Sequence, residues 1–122
     1  MRDHTKLRAF NLAGELVIVI YQITRLFPKE EMYGLVSQMR RAAVSVASNI
    51  VEGCARSSDA EFVRFLDIAF GSLRELLYQY SLAIRLGYVS AKDMEDIECS
   101  SKFVETEKVL AALIRSMRRK AV

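Results

Sequence analysis

The chain has 122 residues, which is the length of one domain. Apolar residues make up 52% of it, which excludes a disordered chain, and charged residues make up 27%, which excludes an integral membrane protein. The net charge of +3 is mild and does not by itself demand a nucleic-acid partner.

Helix breakers divide the chain into four segments. Pro28 is the only proline; it ends the first segment and suits the first turn of the second. Gly53 and Gly87 mark the ends of the second and third segments. Apolar residues three and four positions apart predict that the segments are helices. The predicted helices cover residues 7–26, 29–52, 58–86 and 90–118.

Capping residues support the starts of the third and fourth helices. Ser58 is followed three residues later by Glu61, as in a capping box, and Ser90 can cap the fourth helix, with Asp93 at its third position. Short connections between long helices favour antiparallel neighbours. The sequence therefore predicts one all-α domain, residues 1–122, folded as an antiparallel up-down-up-down four-helix bundle.

The first and third helices carry more apolar side chains than a single bundle needs. Residues 16–21 of the first helix are apolar in almost every direction, and Ile68, Tyr78 and Leu82 point off the apolar stripe of the third. Neighbouring subunits that cover these faces would explain the surplus, and we expect a homo-oligomer. The alternative is that these are scattered surface apolar residues, which are common.

The cysteines and the N-terminus indicate the cellular compartment. Cys54 and Cys99 form no motif and suit a reducing cytosol, although a pairing between them stays open. No apolar stretch approaches the ~20 residues that span a bilayer, and no clear cleavage site follows the charged N-terminus. We expect a cytoplasmic protein that has no membrane partner.

Residues suited to catalysis are scarce. His4, the single histidine, lies outside the predicted helices, so the Glu-x-x-His pairs of a di-iron bundle cannot be built. The glycines are too far apart for a phosphate-binding loop, and Cys54 does not lie at a helix N-terminus, where its pKa would fall. We therefore predict no enzyme, with no catalytic, cofactor or metal site.

The most informative segment runs from Gln38 to Gly53. At 100° per residue, five of its polar side chains fall within a sector of about 60°. We call these five residues the polar line: Gln38, Arg41, Ser45, Asn49 and Glu52. The small residues around them invite another helix to approach, so we interpret the polar line as a hydrogen-bond network within one chain or across a subunit contact. The alternative is a solvated face.

These residues carry a family resemblance. The runs that carry it are Phe27-Pro28, Glu31, Tyr33-Gly34-Leu35, Gln38-Met-Arg-Arg-Ala-Ala-Val-Ser45, Ser48-Asn49-Ile50, Glu52-Gly53, Glu61-Phe62, Phe65-Leu66, Ala69, Gly71-Ser72-Leu73 and Glu75. The chain resembles the bacterial four-helix-bundle family whose founding members are encoded in intervening sequences of 23S ribosomal RNA genes. The resemblance implies antiparallel bundles that form closed rings of five. It gives the polar line and Gly53 no catalytic role.

The resemblance and the charge distribution suggest two roles. The family is similar in fold to the accessory variability proteins of diversity-generating retroelements, which are basic pentamers that bind nucleic acid and a reverse transcriptase. The best candidates for contacts with RNA or DNA phosphates are Arg115, Arg118, Arg119 and Lys120, followed by Arg40, Arg56 and Arg64. Basic residues late in a helix also complement its macrodipole, which is the simpler explanation. The alternative role is an assembly scaffold or adaptor that binds another protein.

Overall fold

The computed structural model describes residues 2–121, and within them all regular secondary structure is helical, with no strand. Two short 3₁₀ turns, His4–Lys6 and Lys29–Glu31, precede the first and second α-helices. The α-helices are α1 (Arg8–Thr24), α2 (Leu35–Cys54), α3 (Asp59–Arg85), α4 (Ala91–Ile97) and α5 (Cys99–Ala121). The predicted all-α class is confirmed.

The four long helices enclose one apolar core. Each of them contacts two others: α1 packs on α2 and α5, and α3 packs on the same two helices. The largest fully buried apolar side chains come from all four: Leu16, Ile20, Ile23, Met39, Val46, Ile50, Phe62, Leu66, Leu73, Leu76 and Leu110. The apolar periodicity of the sequence therefore marks the faces that meet at the centre.

The predicted second helix begins too early. The prediction placed its start at residue 29, but α2 begins at Leu35. Pro28 precedes the 3₁₀ turn instead, and the chain then reorients at Gly34, whose backbone (φ −108°, ψ −111°) is not helical. The Glu31 carboxylate accepts a hydrogen bond from the Leu35 N–H at 3.2 Å, so a side chain outside the helix binds one of its first free N–H groups.

The predicted fourth helix is in fact two helices. The chain breaks at Glu98, which has left-handed backbone angles (φ 55°, ψ 35°) and separates α4 from α5. Glutamate rarely adopts this conformation, so the sequence carries no signal for the break. The prediction of a single helix over 90–118 was therefore wrong: the short helix α4 precedes α5, which is the fourth long helix of the chain.

The predicted caps are present. Ser58 accepts a hydrogen bond from the Glu61 N–H at 3.1 Å, and Ser90 and Asp93 form a complete capping box. Gly87 has a φ of 79°, and the N–H groups of residues 87 and 88 donate back to the last turn of α3 at 3.0 Å each. This is the geometry of a Schellman motif, in which the residue with left-handed backbone angles is usually glycine.

None of the described helices is both long enough and apolar enough to cross a membrane.

Candidate functional site

A groove between α2 and α3 holds most of the polar line. The groove has a volume of about 480 Å³, and we call it the α2/α3 groove. Its lining residues are Gln38, Arg41, Ala42, Ser45, Ser72, Glu75 and Gln79. Helical spacing places the first four on one side of α2 and the last three on the facing side of α3.

The middle of the polar line is a hydrogen-bond network. The hydroxyls of Ser45 and Ser72 lie 2.8 Å apart and join the two helices. The Asn49 amide donates to the Ser45 carbonyl at 2.9 Å and to the Ser45 hydroxyl at 3.0 Å. Small and polar side chains therefore link α2 to α3 at the contact where the sequence indicated close approach.

The two ends of the polar line do not join this network. Gln38 and Arg41 are exposed at the open part of the groove. Glu52 is also exposed and forms an ion pair with Arg56, one turn later in the chain. The line is therefore divided into a bonded centre, an open end and a surface ion pair.

Gly53 allows α2 and α3 to touch. A Cβ atom at this position would lie 2.9 Å from the Cβ of Phe65 and 3.0 Å from Cδ1 of Phe62. Real Cβ atoms do not approach so closely, so any side chain here would push the helices apart. Gly53 is thus a packing residue of the α2–α3 contact.

Gln79 is a member of the groove that the sequence analysis missed. The side chain is buried, with 7% of its surface exposed, and Nε2 lies 3.4 Å from the Glu75 carboxylate. Its Oε1 atom is buried and has no hydrogen-bond partner in the described chain. Its position one turn after Glu75, between the core residues Leu76 and Tyr80, was the available sequence signal.

Six of the seven predicted phosphate contacts come to one end of the bundle. We call this the basic end; it contains the start of α3 and the last turns of α5. Arg118 binds both oxygens of Asp67 on α3, at 2.7 and 2.8 Å, which brings the end of α5 beside Arg64. The Arg2 guanidinium donates to the Arg56 carbonyl and pairs with the Asp59 carboxylate, so the residues that follow α2 also belong to the basic end. The remaining residue, Arg40, lies apart on α2.

Several of these cations already have partners. Arg118 pairs with Asp67, Arg56 with Glu52, and Arg64 with Glu61. Arg40 donates to the Thr24 hydroxyl at 2.9 Å and lies 4.5 Å from the ring centre of Tyr21. Among residues 2–121, no carboxylate lies within 4 Å of the three other predicted contacts, which are Arg115, Arg119 and Lys120.

The opposite end of the bundle is acidic. It contains the 3₁₀ turn Lys29–Glu31, the end of α3 and all of α4. The Tyr88 hydroxyl donates to Glu31 at 2.8 Å and ties these segments together. This bond, followed by the bond from the Leu35 N–H, holds the pKa of the Glu31 carboxyl below its ordinary value.

A second surface of interest lies along α1 and α2. We call it the α1/α2 face, and its lining residues are Tyr21, Met32, Tyr33, Val36, Ser37, Arg40, Arg41 and Val44. Tyr33 is 93% exposed, and Met32 and Val44 are exposed as well. Exposed tyrosine and methionine beside arginine are typical of protein interfaces.

The cysteines are buried and unpaired. Burial raises the pKa of the Cys99 thiol to about 11, and it also raises the pKa of Cys54 above its ordinary value. The pairing left open by the sequence is therefore absent. Across residues 2–121, no cluster of histidine, cysteine or acidic side chains has a metal-binding arrangement.

Fold and surface together define a small helical protein with a polar interhelical groove and opposite charge at its two ends. The family model described as "23S rRNA-intervening sequence protein" matches residues 5–112. The chain therefore belongs to this family, which confirms the resemblance found in the sequence.

A solved structure shares the fold. It is the crystal structure of a protein with unknown function from the S23 ribosomal protein family of Bacteroides thetaiotaomicron. The two chains are 24% identical and superpose with a TM-score of 0.75, over 88% of this chain and 95% of that one. No curated protein matches this chain.

Proposed function

We propose that the chain is a subunit of a homo-oligomer, a ring of five copies, in which each subunit is an antiparallel up-down-up-down four-helix bundle. Contacting pairs support this topology: on α1 and α5, Arg8 meets Glu105 and Glu15 meets Lys102, so residue numbers rise on one helix where they fall on the other. The exposed apolar side chains of the α1/α2 face support assembly.

We further propose that the assembly binds RNA or DNA as an accessory protein, through phosphate contacts at the basic end. The observation that carries this proposal is the group of exposed cations that have no carboxylate partner among residues 2–121, namely Arg115, Arg119 and Lys120. A ring repeats this group in every subunit, and five copies of +3 would give a total charge of about +15, enough to attract phosphate. Binding of this kind is non-specific and weakens with salt.

We propose that this role involves no catalysis and that the protein works in the cytoplasm. The raised thiol pKa values mean that neither cysteine is a ready nucleophile near neutral pH. Buried free thiols also suit a reducing compartment.

Fluorescence anisotropy with labelled single-stranded RNA and duplex DNA tests the nucleic-acid role. The test variant changes Arg115, Arg119 and Lys120 to Ala. The control variant changes Arg25, Lys29 and Lys92 to Ala, which removes the same charge from the acidic end. We expect the wild type and the control to bind at low salt and to lose affinity steeply as salt rises, while the test variant binds much more weakly. Absence of binding at low salt, or equal loss in both variants, would contradict the proposal.

An adaptor that binds another protein is the second candidate. The exposed Leu26 and Leu86 at the acidic end favour it, because apolar side chains among acids suit a basic protein partner. If no nucleic acid binds, this function becomes the preferred one.

A further inference from the structure

Two faces of the bundle share α2 and are incompletely covered. The α1/α2 face exposes apolar side chains such as Tyr33 and Val44. On the other side of α2, the α2/α3 groove is bordered by Ile68, which is 41% exposed. Ile68 precedes Ser72 by four residues and Glu75 by seven, so it lies on the same side of α3 as the groove.

We propose that the α1/α2 face of one copy of this chain docks against the α2/α3 groove of the next copy. The interface is head-to-tail, with two different surfaces on every subunit. This inference rests on the homo-oligomer of the proposed function and assigns the surfaces that build it.

The two surfaces are complementary in hydrogen bonding. The groove contains two acceptors that can take further donors: among the described residues no cation lies within 4 Å of Glu75, and the buried Oε1 of Gln79 has no partner. No carboxylate is among the residues that line the α1/α2 face, and this face supplies donors from the hydroxyls of Tyr21 and Tyr33. A buried acceptor without a donor is costly, so a donor from a neighbouring subunit stabilises the contact.

The two surfaces are also complementary in apolar area. Val44 and Tyr33 on one copy and Ile68 on the next are exposed in the single chain. Interface cores typically contain buried tyrosine and arginine beside aliphatic side chains. The docked arrangement removes from water the apolar surface that a single bundle cannot cover.

The placement of the two surfaces favours a closed ring. They are adjacent around the bundle and meet at α2, so each copy is rotated relative to the one before it. Head-to-tail contacts form a ring when the rotation between successive copies brings the last copy back to the first, whereas surfaces on opposite sides would extend into a filament.

Light scattering on three matched variants tests the assignment. Val44→Glu places a charge on the α1/α2 face, and Ile68→Glu places one beside the groove. Val104→Glu is the control, because Val104 is a valine on α5, 57% exposed and outside both surfaces. We expect the first two variants to fall to the 13.9 kDa of one chain, while the control keeps the wild-type mass.

Mixing the two disrupted variants tests the head-to-tail arrangement. The Ile68→Glu chain retains an intact α1/α2 face, and the Val44→Glu chain retains an intact groove. An equimolar mixture should therefore form a one-to-one dimer through the single remaining contact. A two-fold contact between identical surfaces would give no such dimer and would overturn the proposal.

The outcomes separate this inference from the proposed function. A wild type that is monomeric overturns both. An oligomeric wild type whose mass survives Val44→Glu or Ile68→Glu overturns only the surface assignment. Circular dichroism establishes that each variant is folded. If Val44→Glu does not fold, Tyr33→Ser replaces it, because Tyr33 lies outside the α-helices. A Tyr33→Ser chain that keeps the wild-type mass also overturns the assignment.

Discussion

Replacing Gly53 by alanine tests whether close contact between α2 and α3 holds the bundle together. Glycine inside a helix is normally a weakness, and Gly→Ala is expected to stabilise an open helical site by roughly 0.5–1 kcal/mol. At Gly53 the added Cβ would instead lie 2.9 Å from the Cβ of Phe65 and 3.3 Å from the carbonyl oxygen of Phe62. These atoms cannot move without shifting the backbone of α3.

The magnitude follows from two opposing contributions. Overpacking a core costs about 1–3 kcal/mol, and the gain in helix propensity offsets up to about 1 kcal/mol of that cost. We therefore expect Gly53→Ala to lower the free energy of unfolding by about 1–2 kcal/mol. Gly71→Ala is the matched control: it lies in the middle of α3, and an added Cβ there meets nothing within 4 Å.

Urea unfolding followed by circular dichroism at one protein concentration measures both variants. Gly71→Ala should raise the unfolding midpoint and Gly53→Ala should lower it, with the slope of the transition unchanged. If Gly53→Ala raises the midpoint as much as Gly71→Ala does, the close contact between α2 and α3 is refuted.

Four further results are expected. Asn49→Ala should lower the free energy of unfolding by about 0.5–1.5 kcal/mol, because it removes two hydrogen bonds within α2, both to Ser45; an unchanged urea midpoint would contradict this. Tyr88→Phe should lower stability at neutral pH but not in strong acid. The lowered pKa of the Glu31 carboxyl contributes stability that is present above its ordinary pKa of 4.5 and is lost as the pH falls through the lowered pKa. The unfolding curves of the variant and the wild type should therefore converge in acid. Cys99, with its pKa of about 11, should react with a thiol reagent such as Ellman's only after unfolding, and rapid reaction of the native chain would show that it is accessible. Glu98→Gly should stabilise the chain by up to about 1 kcal/mol in thermal melts, because glycine adopts left-handed angles without strain; a loss of stability would mean that the side chain itself matters.

The parts of the fold set by short-range chemistry were predictable from the sequence. Periodic apolar residues gave the helices of the core, and Ser58, Ser90 and Gly87 gave three of their ends within one or two residues. These signals are local, since a cap or a glycine acts on the turn beside it.

The parts set by tertiary contacts were not predictable. Glu98 has left-handed backbone angles between α4 and α5, a conformation that glutamate rarely adopts, and no residue type marks this position. Arg118 was predicted as a phosphate contact, and its pairing with Asp67 was not predictable because Asp67 comes within reach only once α5 lies beside α3. Gln79 could be recognised as an unsatisfied buried amide only after the groove had been located.

Native mass spectrometry of the wild-type chain tests most directly whether the bundle is a subunit of a ring. We predict one dominant species of about 70 kDa, five chains of 13.9 kDa each, at micromolar concentration and moderate salt. A single species of 13.9 kDa under the same conditions would contradict the assembly and every role that depends on it.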